Sequence, residues 1–148
     1  MGRKRRNGSD SRCCTPAQVP YVWRDYLDDS RDTVKDYDSW LGGLPQFARF
    51  HEEGEVEELH EAAARGELWD SGDETTPIKP IVTNPDIYEL RRTALSKKLR
   101  FYHGEPAELP LMLVALHRHI KTGNASQQTE IVHAAKRYTD GRPSFWVA

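Results

Sequence analysis

The sequence predicts an α+β fold: a small antiparallel sheet made of one N-terminal strand and a three-strand meander, packed on two N-terminal helices, with a C-terminal helix. Three observations predict it. Apolar residues recur at spacings of three and four between residues 30 and 67, and again from about 126 to 138, as amphipathic helices require. Extended segments follow one another between residues 87 and 121 with connections too short for parallel crossovers. The length of 148 residues suits one core and is too short for two comfortable domains.

Residues 1–19 read as a disordered basic arm. Arg3, Lys4, Arg5, Arg6 and Arg12 stand there against Asp10, with almost nothing to bury before Pro16 and Pro20. The domain is expected over 20–140 and a short tail over 141–148. Tyr21 to Leu27 is aromatic and β-branched enough for a first strand. Ser30 or Asp32 caps a helix marked by Val34, Tyr37, Trp40, Leu41 and Leu44, which Gly42, Gly43 and Pro45 end. A second helix is expected from about Pro45 to Glu67, interrupted at Gly54, with the block Glu52 to Glu61 as its exposed side and His51 and His60 on the surface. Ser71 to Lys79 is a polar loop. Strands are expected over about Ile87 to Thr93, Lys98 to His103 and Leu111 to Lys121, then a helix from about Ser126 to Tyr138 on the stripe Ile131, Ala134, Ala135 and Tyr138, ended by Gly141 and Pro143.

The formal charge of −2 hides an asymmetry. Residues 13–77 carry five cations against sixteen acids, and residues 78–148 carry eleven against six. A basic C-terminal half suits a polyanion; the acidic middle either faces solvent or meets a basic partner. Cys13 and Cys14 are adjacent, a spacing that offers neither a disulfide framework nor an ordinary metal site. There is no run of 18 apolar residues and no signal-peptide core, so a soluble cytoplasmic protein is expected, without cofactor or membrane partner.

The most informative stretch is Leu109 to Lys121. Strand side chains alternate between faces, so His117, His119 and Lys121 form one row while Leu116, Arg118 and Ile120 point the other way. Extending this parity to the neighbouring strands puts Glu89, Arg91, Arg100 and Tyr102 with the histidine row, and Tyr88, Leu90, Leu99, Phe101, Met112, Val114, Leu116 and Ile120 on the helix side. The expected result is a concave, cationic, proton-exchanging face. Cleaving RNA with side chains alone needs that inventory: a base for the ribose 2′-OH, cations for the charge growing at phosphorus, and an acid for the departing 5′ oxygen. Arg91 and Arg100 suit the phosphate, His117 or His119 the proton transfers, and Lys121 added charge. Tyr102 can stack a base, with Lys97, Lys98 and Arg118 as further RNA contacts. The product would be a 2′,3′-cyclic phosphate. His103 falls on the apolar parity and His133 in a helix, and both read as structural.

Four segments in order, Asp86-Ile-Tyr-Glu-Leu-Arg91, Lys98-Leu-Arg-Phe-Tyr102, Leu113-Val-Ala-Leu-His-Arg-His-Ile-Lys121 and Glu130-Ile-Val-His-Ala134, make residues 21–138 resemble the HigB/RelE superfamily of toxins, in its phage-derived branch. The resemblance implies a RelE-like fold and an mRNA endoribonuclease of a type II toxin–antitoxin pair. Such a protein is metal-independent, acts mostly on the ribosome and arrests growth, and a helix-turn-helix antitoxin silences it. By position, Arg91, Arg100, His117 and Lys121 match residues at or near the family's active face. His119 stands where the family usually has Phe, and Thr122 where it usually has a second Lys. The alternative is a phage-encoded protein of the same fold with weak catalysis that binds a host protein or RNA.

Overall fold

Residues 10–148 are described by a computed structural model. The meander is built from Ile87–Ala94 (β3), Lys97–Gly104 (β4) and Met112–Lys121 (β5), each antiparallel to the next. Leu95 and Ser96 join β3 to β4 with φ of 49° and 69°, the left-handed pair of a tight hairpin turn that matches strand twist. Val22–Asp25 (β1) pairs with β5 in parallel, and Ile78–Pro80 (β2) pairs antiparallel with β3, inside what reads as a polar loop. The sheet is therefore mixed and five-stranded, in the order β1-β5-β4-β3-β2.

The helices are Asp32–Gly42 (α1), Gln46–Ala64 (α2) and Asn124–Gly141 (α3). Helix α2 runs unbroken through Gly54, where an added Cβ would meet nothing within 4 Å. Packing of Val56, Leu59, Ala63 and Ala64 on the sheet outweighs the roughly 1 kcal/mol that a mid-helix glycine costs. Its acidic block is not wholly exposed: Glu52 is 4 % exposed and holds the Arg92 guanidinium through both carboxylate oxygens. His60 is no surface residue either, lying against the rings of Trp23 and Phe101 at 5.0 and 4.9 Å.

The helices occupy both faces of the sheet, not one. Leu90, Leu99, Phe101 and Leu113 pack on α1 and α2 with Tyr37 and Ala63, whereas Ile87, Tyr102, Val114 and Leu116 pack on α3 with Ile131, Ala134 and Tyr138. A bulge explains why Val114 and Leu116 lie on the side of His117, contrary to strict parity. Tyr102 pairs with His117 but His103 with Ala115, so Leu116 is an extra residue and alternation restarts beyond it.

The segments flanking the domain are folded in. Residues 1–9 lie outside the described residues. Residues 10–19, expected as disordered arm, include a short 3₁₀ turn at Arg12–Cys14 with Ser11 and Cys13 fully buried. Arg12 anchors it by donating to the carbonyls of Pro106, Leu109 and Met112. Little apolar surface is needed when a guanidinium satisfies three loop carbonyls. In the tail, Trp146 is fully buried, packed on Gly141 and Tyr138, and donates from Nε1 to the Tyr138 carbonyl at 2.9 Å. Among the described residues no helix is long and apolar enough to cross a membrane.

Candidate functional site

Cross-strand register brings the predicted residues together. Arg91 sits opposite Arg100, Arg100 opposite His119, Glu89 opposite Tyr102, Tyr102 opposite His117, and Lys98 opposite Lys121. All but Glu89 are residues predicted as catalytic or RNA-contacting, and Lys98, Arg100 and Tyr102 share one parity of β4. The expectation of helices on one side of the sheet fails here, because the first turns of α3 lie across part of this face.

Beneath α3, His117, His119 and Tyr102 are at most 3 % exposed and stack with ring centroids 5.5–6.1 Å apart. His117 Nε2 is 2.5 Å from Glu130 Oε2, and Glu130 also accepts from Thr33 of α1. Gln127 donates to Glu89 at 2.9 Å and to the Tyr102 hydroxyl at 3.2 Å, and that hydroxyl is 2.9 Å from His119 Nε2. Hydrogen-bond balance makes Tyr102 the donor to His119, whose Nε2 is then a bare acceptor. Burial pushes His117 down to about 4 and His119 below the ordinary imidazole value, with Glu130 opposing in both cases. Burial raises the Tyr102 hydroxyl well above its usual range. These three rings hold the sheet face together and do not meet solvent.

Beyond α3 the same face opens into a groove of about 770 Å³, lined by Lys79, Arg91, Lys98, Arg100 and Lys121 and by Asp70, Asp73 and Glu74. Glu89, 1 % exposed, anchors the floor: Arg91 Nε donates to its Oε1 at 2.6 Å, and Arg100 Nε lies 3.3 Å from the same oxygen without hydrogen-bond geometry. One carboxylate thus serves two guanidiniums. Burial lowers the Arg100 pKa, against the pull of Glu89. Lys121 is also lowered, first by burial and then by Arg100 and Arg91. An ammonium weakened by neighbouring cations can take up and release a proton nearer neutrality than an ordinary lysine. The acidic rim is internally bonded, since Asp73 accepts from Ser71 and Thr75, whose hydrogen bonds hold it below the usual carboxylate range.

Two predicted contacts lie elsewhere. Arg118 projects to the opposite face, donates to Asp38 at 2.8 Å and lies over the Tyr37 ring. It borders a second cavity of about 360 Å³ with Trp23, Tyr37, His60, Phe101 and His103. Lys97 is exposed at the hairpin and does not line the groove. Gln127 and Glu130 carry no site role in the sequence pattern, although they continue the stripe of Ile131, Ala134 and Tyr138 toward the helix start. Polar residues on a buried stripe need polar partners, and the histidine row was the available one.

Comparison of the chain with protein-family models, with curated proteins and with solved structures finds no match.

Proposed function

We propose that this protein is an RNA endonuclease of the HigB/RelE kind, the toxin of a type II toxin–antitoxin pair, with its site in the cationic groove. The observation that carries this reading is the convergence of Arg91, Lys98, Arg100 and Lys121 in one groove, with Glu89 holding the two guanidiniums and Asp70, Asp73 and Glu74 also in the lining. Arg91 and Arg100 pair with the oxygens of the scissile phosphate and stabilise the charge that develops there. Lys121 takes the proton of the ribose 2′-OH, and attack of that oxygen on phosphorus breaks the bond to the 5′ oxygen, which takes its proton from solvent water, leaving a 2′,3′-cyclic phosphate. His117 and His119, assigned from sequence to proton exchange, become positioning residues: His119 holds Tyr102, Tyr102 and Glu89 share Gln127, and Glu89 orients Arg91. mRNA on the ribosome is the substrate, and a helix-turn-helix antitoxin is the partner that covers the groove.

A second reading, a protein of the same fold that binds RNA or a host protein without cleaving, is favoured by the burial of both histidines. Controlled expression in a bacterium, with growth followed and mRNA 5′ ends mapped, separates the two. Wild type should arrest growth with new cuts. Lys121→Ala should reduce cutting on the order of 10²-fold or more with an unchanged melting temperature. Arrest without cuts, or cuts indifferent to Lys121→Ala and Arg91→Ala, transfers the function to binding.

A further inference from the structure

At the end of β4 remote from the groove, three side chains of different chemistry converge. Cys13 Sγ lies 3.6 Å from His103 Nε2 and 3.8 Å from Glu105 Oε2, and the last two are 2.8 Å apart. Cys13 and His103 are at most 1 % exposed, and the Glu105 side chain is 7 % exposed. A nucleophilic triad would place the thiol on one ring nitrogen and the carboxylate on the other. Here both contacts fall on Nε2, and Nδ1 bonds neither. Burial, reinforced by the charge of Glu105, also pushes the Cys13 thiol well up, the wrong direction for a nucleophile.

Sulfur, nitrogen and oxygen within 4 Å of one another can serve as a ligand set. Tetrahedral zinc, with bonds of about 2.3 Å to sulfur and 2.0–2.1 Å to nitrogen and oxygen, sets edges of about 3.6 Å for S···N and S···O and about 3.4 Å for N···O. The first two edges are matched to within about 0.2 Å. The third is shorter because the His103 N–H now donates to Glu105. We propose that Cys13, His103 and Glu105 bind one zinc ion, with water as fourth ligand, and that the ion ties the N-terminal segment to the sheet.

The surrounding contacts pre-orient the set. Arg12 N donates to Glu105 Oε1 at 2.8 Å, while the Ser11 hydroxyl donates to Oε2 and accepts from Cys13 N. Trp23 and Tyr88 flank the imidazole at 5.4 and 5.7 Å. A thiolate, an imidazole and one carboxylate select zinc over magnesium or calcium. One thiolate and one carboxylate neutralise the dication, which suits a buried site. Binding sends the thiol proton to solvent and moves the imidazole proton to Nδ1. His103 also lines the 360 Å³ cavity.

The full chain, stripped with a chelator, is titrated with Co²⁺ as an optical probe and then with Zn²⁺ in competition. The expected result is one equivalent of Co²⁺ with a thiolate charge-transfer band and tetrahedral ligand-field bands, released proton for metal, and displaced by Zn²⁺ with a rise in melting temperature. Cys13→Ser should abolish the charge-transfer band and Cys14→Ser should keep it. Ser11→Ala, which retains every ligand, should weaken zinc about 10–100-fold. Glu105→Gln preserves shape and guards against misfolding: zinc affinity should fall by more than in Ser11→Ala. Absence of the thiolate band in wild type, its survival in Cys13→Ser, or unchanged zinc affinity in Glu105→Gln overturns the proposal.

Discussion

His117 shows how a single ring nitrogen decides a charge state. Its Nε2 donates to Glu130, and its Nδ1 is buried without a partner. Charging the ring would place an N–H donor where nothing accepts it, so the imidazole is neutral, and burial pushes its pKa down to about 4. In the unfolded chain a histidine titrates near 6.5. Between those values the unfolded state takes up a proton that the folded state refuses. Stability is therefore complete above about pH 6.5 and is lost as pH falls toward 4. Burial lowers His119, His60 and His133 in the same direction. Chemical denaturation followed across this range should show stability declining with acid, with a slope shallower by about one proton in His117→Gln, whose amide still donates to Glu130. A profile identical in the two proteins would refute the assignment. The shared face of His117, His119, Lys121, Arg91 and Arg100 was legible because strand alternation is local. Their division into a buried half and an open half was not, since it depends on Gln127 and Glu130 in a helix that follows the strand.

At the scale of elements, α3 fits the sheet closely because β4 ends in a glycine. A Cβ on Gly104 would lie 2.4 and 2.5 Å from the Tyr138 ring, so the ring occupies the space that any other residue would fill. Gly104→Ala should cost about 1–3 kcal/mol, measured by urea unfolding. An unchanged midpoint would mean that α3 shifts freely on the sheet. The helices themselves were readable from the spacing of Val34, Tyr37 and Leu41 and of Ile131, Ala134 and Tyr138. The bulge at Leu116 was not, because parity assumes that no residue is inserted, and only the pairing of His103 with Ala115 reveals the insertion. Likewise nothing local to Val22–Asp25 announces that its partner is β5 or that the two run parallel.

For the whole molecule, the N-terminal segment acts as a strap. Arg12 holds the carbonyls of Pro106, Leu109 and Met112, and Cys13 O accepts from Leu68 N. Arg12→Ala should lower stability by about 2–3 kcal/mol at neutral pH, because buried carbonyls lose a charged donor; equilibrium denaturation checks it. Composition made residues 10–19 look unfoldable, since it counts apolar side chains and not donors. The Arg12 contacts join residues 94 to 100 positions apart, and the middle of the sheet has the same character: β5, the last strand among the described residues, lies between β1 and β4. During synthesis β1 emerges early and has no partner, and the edge of β4 stays uncovered until Met112–Lys121 follows. Assembly of the sheet must therefore wait for Met112–Lys121. Until then the nascent chain offers two unpaired strand edges to whatever binds it, a chaperone or a second nascent copy.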